Sequence, residues 1–141
     1  MRGFEMNKYL LLKKAHEERI NNFKMIFAFS EEQLNEGLKE LNTTKENLLS
    51  VFGGGFIRKE DKEDYIKMFK EISQEEEELF KNDKDLYDAF IYELGNHEYS
   101  YTHDETDTLQ SLNFESYEDL TDRQKTIFEK AKTKYLNSQI W

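Results

Sequence analysis

Apolar positions along this chain follow two spacings, and together they predict a helical frame with one small extended element. Tyr9, Leu12, His16, Ile20 and Phe23 fall on one side of a helix predicted from about Asn7 to Ile20. The aromatic-rich run that follows predicts a short strand around Phe27–Phe29. Ser30 with Gln33 three residues later has the spacing of a capping box, so a second helix starts there and runs to about Leu41. Thr43 and Glu46 repeat that spacing before Leu48 and Leu49. Gly53, Gly54 and Gly55 permit positive φ, and the apolar segments on either side make them the turn of a β-hairpin, about Leu49–Arg58.

Tyr65, Phe69, Ile72 and Leu79 mark a third helix, about Asp61 to Lys81. Its run Glu75–Glu78 points around most of a helical turn, so at least one glutamate must meet the buried edge. Leu86, Phe90 and Leu94 predict a fourth helix, about Asp85 to Leu94, capped by Asp83 or Asp85 and closed by Gly95. A loop is expected from Asn96 to Asp104, then short helices around Glu105–Leu112 and Tyr117–Leu120. The last helix is predicted from about Thr121 through Tyr135, with lysines towards its C-terminal end, where they complement the dipole. The expected fold is mainly α, of about five to six helices with a minor β-hairpin, in one domain spanning residues 1–141. Residues 1–5 read as an N-terminal extension ahead of Met6, and Trp141 as a candidate staple of the C-terminus.

Composition narrows the function classes. A chain of 141 residues can bury one core without disulfide or metal support. It has no Cys, which excludes a thiolate zinc site and a cysteine nucleophile and suits a cytoplasmic protein. No apolar run approaches a membrane span. The complete lack of Pro suits long helices joined by short polar turns.

Charge changes the picture more. The formal net charge is −10, and residues 60–141 carry 22 acidic against 10 basic groups. Between Lys84 and Arg123 there is no Lys or Arg in 38 positions, but 11 carboxylates and 7 aromatics. Acidic chains without aromatics stay disordered; this one has the apolar groups to fold and hold its charges in place. Such a surface attracts cationic partners and repels nucleic acid and anionic membranes. The candidate partner-binding residues are Asp85, Asp88, Glu93, Glu98, Asp104, Glu105, Asp107, Glu115, Glu118 and Asp119. The tyrosines of residues 87–117 offer an alternative use, a homodimer interface, so monomer and homodimer both stay open.

Catalytic motifs are weak by comparison. The triple glycine lacks the Gly-Lys-Ser/Thr ending of a phosphate-binding loop, since Phe56 and Ile57 follow it. Asp83-Lys84-Asp85 opens like a calcium loop but has Asp88 at the glycine position and Leu94 at the glutamate position. His97-Glu98 and His103-Asp104 are the one metal-like pair, yet six residues separate the histidines, against the four that place two rings on one helical face. No cofactor and no metal are expected. His16, on the apolar stripe of the first helix, reads as a packed core histidine.

Two segments carry a resemblance. Gly53-Gly54-Gly55-Phe56-Ile57-Arg58-Lys59 and Tyr92-Glu93-Leu94-Gly95-Asn96-His97-Glu98-Tyr99-Ser100-Tyr101 resemble a family of small uncharacterised proteins of Gram-positive and related bacteria. That family occurs commonly on phages, plasmids and conjugative elements. Phe27-Ala28-Phe29-Ser30 and Glu32-Gln33 are similar to its N-terminal part, so the resemblance covers most of the chain from Met6 onward. It implies no reaction and supplies no catalytic residues. It implies a mobile-element setting, where small acidic proteins that disable host defence are frequent.

The leading expectation is therefore a non-enzymatic, acidic counter-defence protein. Its sharpest form is an anti-CRISPR inhibitor, a DNA mimic that occupies the basic nucleic-acid channel of an effector nuclease. The alternatives are an acidic protein-binding accessory module of a mobile element and a metal-dependent hydrolase using His97 and His103 with Glu98 and Asp104.

Overall fold

The computed structural model describes residues 7–139. The expected N-terminal extension and the Trp141 staple lie outside the described residues. The fold is mainly α with a small antiparallel sheet. In chain order the elements are α1 (Lys8–Asn21), β1 (Ile26–Phe27), α2 (Glu31–Leu41), β2 (Leu48–Val51), β3 (Gly55–Arg58), α3 (Lys62–Leu79), α4 (Asp83–Asn96), α5 (Tyr99–Thr102), α6 (Thr106–Ser111) and α7 (Asp122–Ser138). Contacts divide the chain into two units, one of residues up to Lys14 with Ser73 onward, the other Ala15–Ile72. Helices α1 and α3 each pass from one unit into the other.

The 15–72 unit is built on the hairpin. β3 lies between β1 and β2, antiparallel to both, with Ile26 opposite Phe56 and Leu49 opposite Ile57. Gly53 and Gly54 turn the chain at φ of 79° and 80°, conformations that a Cβ disfavours. Ile26, Leu41, Ile57, Met68 and Ile72 are its buried apolar residues, and His16 is buried as its place on the α1 stripe requires. The Ser30 hydroxyl caps α2 by accepting from Gln33 N, but the Gln33 side chain accepts from Phe29 N at 2.8 Å, one residue ahead of a true capping box. The Thr43–Glu46 spacing opens only a 3₁₀ turn, Lys45–Asn47, and the Thr43 hydroxyl instead accepts from the Asn47 amide at 3.0 Å.

In the other unit α4 is the central helix. Leu86, Ala89, Phe90 and Leu94 have no solvent exposure. α7 covers them with Ile127, Phe128 and Ala131, and α6 with Leu109. Phe90 meets Phe128 edge-on at 4.9 Å between ring centres, a favoured aromatic geometry. Each such buried phenylalanine contributes roughly 1.5–3 kcal/mol of transfer free energy.

Several expected boundaries move. The N-cap of α4 is Asn82, whose side chain accepts from Asp85 N at 3.0 Å; Asp83 and Asp85 lie inside the first turn, where they favour the dipole. Gly95 does not end α4. The helix continues to Asn96, and Gly95 faces the Tyr135 ring of α7. The expected loop 96–104 contains the single turn α5, bounded by Glu98 and His103 in the left-handed region at φ of 53° and 54°. α7 starts on a complete capping box between Thr121 and Gln124 and extends to Ser138, so its lysines fall short of the last turn.

Gly37 gives a test in which packing opposes propensity. It is buried in α2, and a Cβ there would overlap the Ile26 side chain, with Ile26 Cβ 3.0 Å away. Alanine in a helix gains about 1 kcal/mol over glycine, whereas overpacking costs about 1–3 kcal/mol. Gly37→Ala should therefore destabilise the protein on balance, read as a lower urea midpoint; a raised midpoint would show that Ile26 has room to move.

Candidate functional site

The ten candidate carboxylates do not form one set. Glu98, Asp104, Asp107, Glu115, Glu118 and Asp119 are exposed. Asp85 is buried at 6% exposure and Glu93 fully, so neither presents a charge to a partner. Asp88 is half-buried and accepts from Lys84 at 2.8 Å. Glu105 is half-buried and lies 3.5 Å from Lys132 of α7. Position along the chain concealed this, because Lys132 is 27 residues beyond Glu105 yet adjacent once α7 has packed. The tyrosines were also committed to packing. Tyr99 is buried, Tyr87, Tyr92 and Tyr117 are half-buried, and Tyr101 alone of the five is well exposed, at 83%.

Glu93 is instead the centre of a buried polar network. Its Oε2 accepts from the Tyr9 hydroxyl at 2.5 Å and from Lys13 Nζ at 3.1 Å, both on α1. Its Oε1 accepts from the Asn96 amide at 3.0 Å. Its backbone carbonyl accepts from the buried Thr108 hydroxyl of α6. Burial opposes the carboxylate charge, but the bonds from Tyr9, Lys13 and Asn96 outweigh it and hold the Glu93 carboxyl below the ordinary range. Burial, then the bond to Glu93, pushes the Tyr9 hydroxyl upward. Lys13 also lies 5.9 Å from the Tyr9 ring centre and 5.8 Å from that of Tyr92, within cation–π reach.

Glu76 of α3 is the member of the Glu75–Glu78 run that meets the buried edge. Burial pushes its carboxyl up to about 6, with Lys13 opposing the rise and Glu93 adding to it. Its Oε2 accepts from the Asn113 amide at 2.6 Å. Beside it lies a cavity of about 490 Å³, lined by Glu76, Glu77, Phe80, Leu112, Asn113, Phe114, Arg123 and others. Periodicity pointed to one buried-edge glutamate; the cavity required Asn113 and Phe114 from a turn 37 residues away, which no local pattern announces.

The metal-like pair separates. His97 is the C-cap of α4, with Nε2 3.8 Å from Glu93 Oε1. His103 is exposed and packs edge-on to Tyr99. Among the described residues no three His, Cys, Asp or Glu side chains are grouped to hold a metal ion. Among them, too, no helix is long and apolar enough to cross a membrane.

Residues 8–137 match a family of unknown function, DUF7659. The chain belongs to that family. The match takes in every helix and strand described above except the last residue of α7. No curated protein and no solved structure matches the chain.

Two carboxylates give opposite pH signatures. The Glu93 carboxyl is depressed below its ordinary 4.5, so its contribution is present above that pH and is lost as pH falls through the folded value. Glu93→Gln should cost about 2–3 kcal/mol at pH 7, because Lys13 loses its counter-charge, and the gap to wild type should close in acid. Equal stability at pH 7 would show that the network is not ionised. The Glu76 carboxyl is raised to about 6, so ionisation above that pH costs the folded state. Glu76→Gln should raise the melting temperature at pH 7.5, with the gain shrinking as pH falls through 6 and gone below the ordinary 4.5. A constant gain across that window would place the effect outside ionisation.

Proposed function

We propose that this protein is a non-enzymatic binding module that docks a basic protein surface through the exposed carboxylates of residues 98–119. The observation that carries this reading is the set of six exposed carboxylates, Glu98, Asp104, Asp107, Glu115, Glu118 and Asp119, in a folded segment without Lys or Arg. Backbone geometry supports charges at defined positions. Asp104 accepts from Thr106 N at 2.9 Å, and that bond with the Thr106 hydroxyl holds its carboxyl below the ordinary range. The exposed Tyr101 lies within the same stretch and offers a ring to an approaching cation.

The strongest charge complement to such a surface is a channel lined with Lys and Arg to grip phosphates. In its sharper form the proposal is counter-defence: the acidic segment occupies the nucleic-acid channel of an effector nuclease, as the guide heteroduplex would.

Individual exposed charges contribute only about 0.2–1 kcal/mol each, so the test reverses several together. Asp107→Lys, Glu115→Lys and Glu118→Lys combined should weaken binding to a lysine-rich polypeptide and to a purified RNA-guided nuclease by more than about tenfold at low salt. The wild-type affinity should itself fall steeply with salt, since exposed pairs are screened over about 8 Å at physiological ionic strength. Reversing the exposed Lys130 and Lys134 of α7 should not weaken either. Unchanged affinity of the triple reversal at both low and high salt would overturn the reading; binding to the polypeptide alone would remove the nuclease form.

A further inference from the structure

Two phenylalanines of the 15–72 unit are left largely in solvent, Phe27 at 56% exposure and Phe29 at 78%. We infer that they form the floor of a docking surface for a basic peptide segment that carries apolar side chains. This surface lies outside residues 98–119 and stands on its own observations, independently of the acidic surface above.

Sheet geometry makes the two rings one patch. Phe27 pairs with Gly55 across β1 and β3, and Ala28 N donates to the Gly54 carbonyl at 3.3 Å. A Cβ on Gly54 would lie 2.6 Å from the Phe29 ring, and one on Gly55 would lie 3.3 Å from the Phe27 ring. The two rings therefore lie over adjacent glycines, whose bare backbone gives them room. Met25 Sδ and a Val51 methyl close on the same Gly55 position, at 3.3 and 3.0 Å, and both residues are half-buried. Two rings, a thioether and a methyl group thus share one exposed surface, and a contiguous apolar patch marks a contact site where a single exposed residue does not.

The charges around the patch select its occupant. The two segments that build it, residues 25–38 and 46–57, contain no Lys or Arg. The bond from Phe29 N to Gln33 Oε1 at 2.8 Å ties Phe29 to the first turn of α2, which holds Glu31 and Glu32. Glu36 follows Glu32 one turn later on the same side of the helix. All three carboxylates are exposed. Among the described residues none of them pairs with a lysine or arginine. The dipole of α2 offsets only about half a unit charge at its N-terminus, against the two full charges of Glu31 and Glu32. A neutral apolar ligand would gain nothing from these charges, and an acidic one would be repelled. Lysine and arginine suit both features, since their alkyl stems cover apolar surface while their charged ends reach carboxylates.

The experiment titrates the full chain, labelled with ¹⁵N, with an acetylated and amidated pentapeptide of alternating lysine and leucine. Peptides of alternating lysine and serine, and of alternating glutamate and leucine, serve as comparisons. The lysine–leucine peptide should shift the backbone signals of Ala28, Ser30 and Gly54 and bind at least about tenfold more tightly than either comparison. Phe27→Ser, which leaves the contact of Phe29 with the turn in place, should abolish the preference for leucine over serine. Glu31→Gln, Glu32→Gln and Glu36→Gln combined keep both rings and should weaken lysine–leucine binding about fivefold. Equal binding of the lysine–leucine and lysine–serine peptides, or absent shifts at those three residues, would overturn the apolar floor. Equal binding of the glutamate–leucine peptide, or an unchanged affinity of the triple glutamine variant, would overturn the basic occupant. Sedimentation velocity supplies the remaining outcome: self-association of wild type that Phe27→Ser abolishes would assign the surface to a second copy and overturn the peptide. The triple reversal at Asp107, Glu115 and Glu118 should leave the Gly54 shift unchanged, and its loss would overturn the independence of this surface. A lysine-rich polypeptide that does not sense that reversal refutes the acidic surface alone.

Discussion

The hydrogen-bonded ion pair between Lys13 and the buried Glu93 carries much of the organisation of its unit. A carboxylate without solvent contact is costly unless donors surround it, and here the donors come from Tyr9 and Lys13 of α1 and Asn96 of α4. Only one register of α1 against α4 brings both Tyr9 and Lys13 to the same oxygen. The surrounding leucines and phenylalanines supply most of the burial energy, but they are interchangeable in a way that these bonds are not.

That network also bears on Glu76, whose carboxyl is raised chiefly by burial. Glu93 takes the Lys13 ammonium at hydrogen-bond distance, while for Glu76 Lys13 opposes that rise and the Glu93 charge adds to it. One glutamate is thus held ionised and the other is brought to titrate at about 6. The difference comes from donors and burial alone, since the two side chains are chemically identical.

The acidity of the chain is divided in the same way. Carboxylates that look equivalent along residues 85–122 become, in the fold, a buried network, helix-turn charges, an ion pair to Lys132 and an exposed remainder. The exposed remainder is what a partner can meet, and it is confined to residues from Glu98 onward within the candidate set.

Local patterns alone determined most of the frame. The stripe Tyr9–Leu12–His16, the Ser30 cap, the triple-glycine turn and the Leu86–Phe90–Leu94 face each act over a few residues, so their spacing is sufficient to read them. Tertiary structure decided everything that joins distant positions. Gly95 faces Tyr135 of α7, Glu93 left the surface because Tyr9 and Lys13, 84 and 80 residues earlier, lie within bonding range of it, and Glu105 met Lys132 only once α7 had docked. Whether a carboxylate is solvated, paired or buried depends on neighbours brought in by chain folding, and a residue's own sequence neighbourhood carries no record of them.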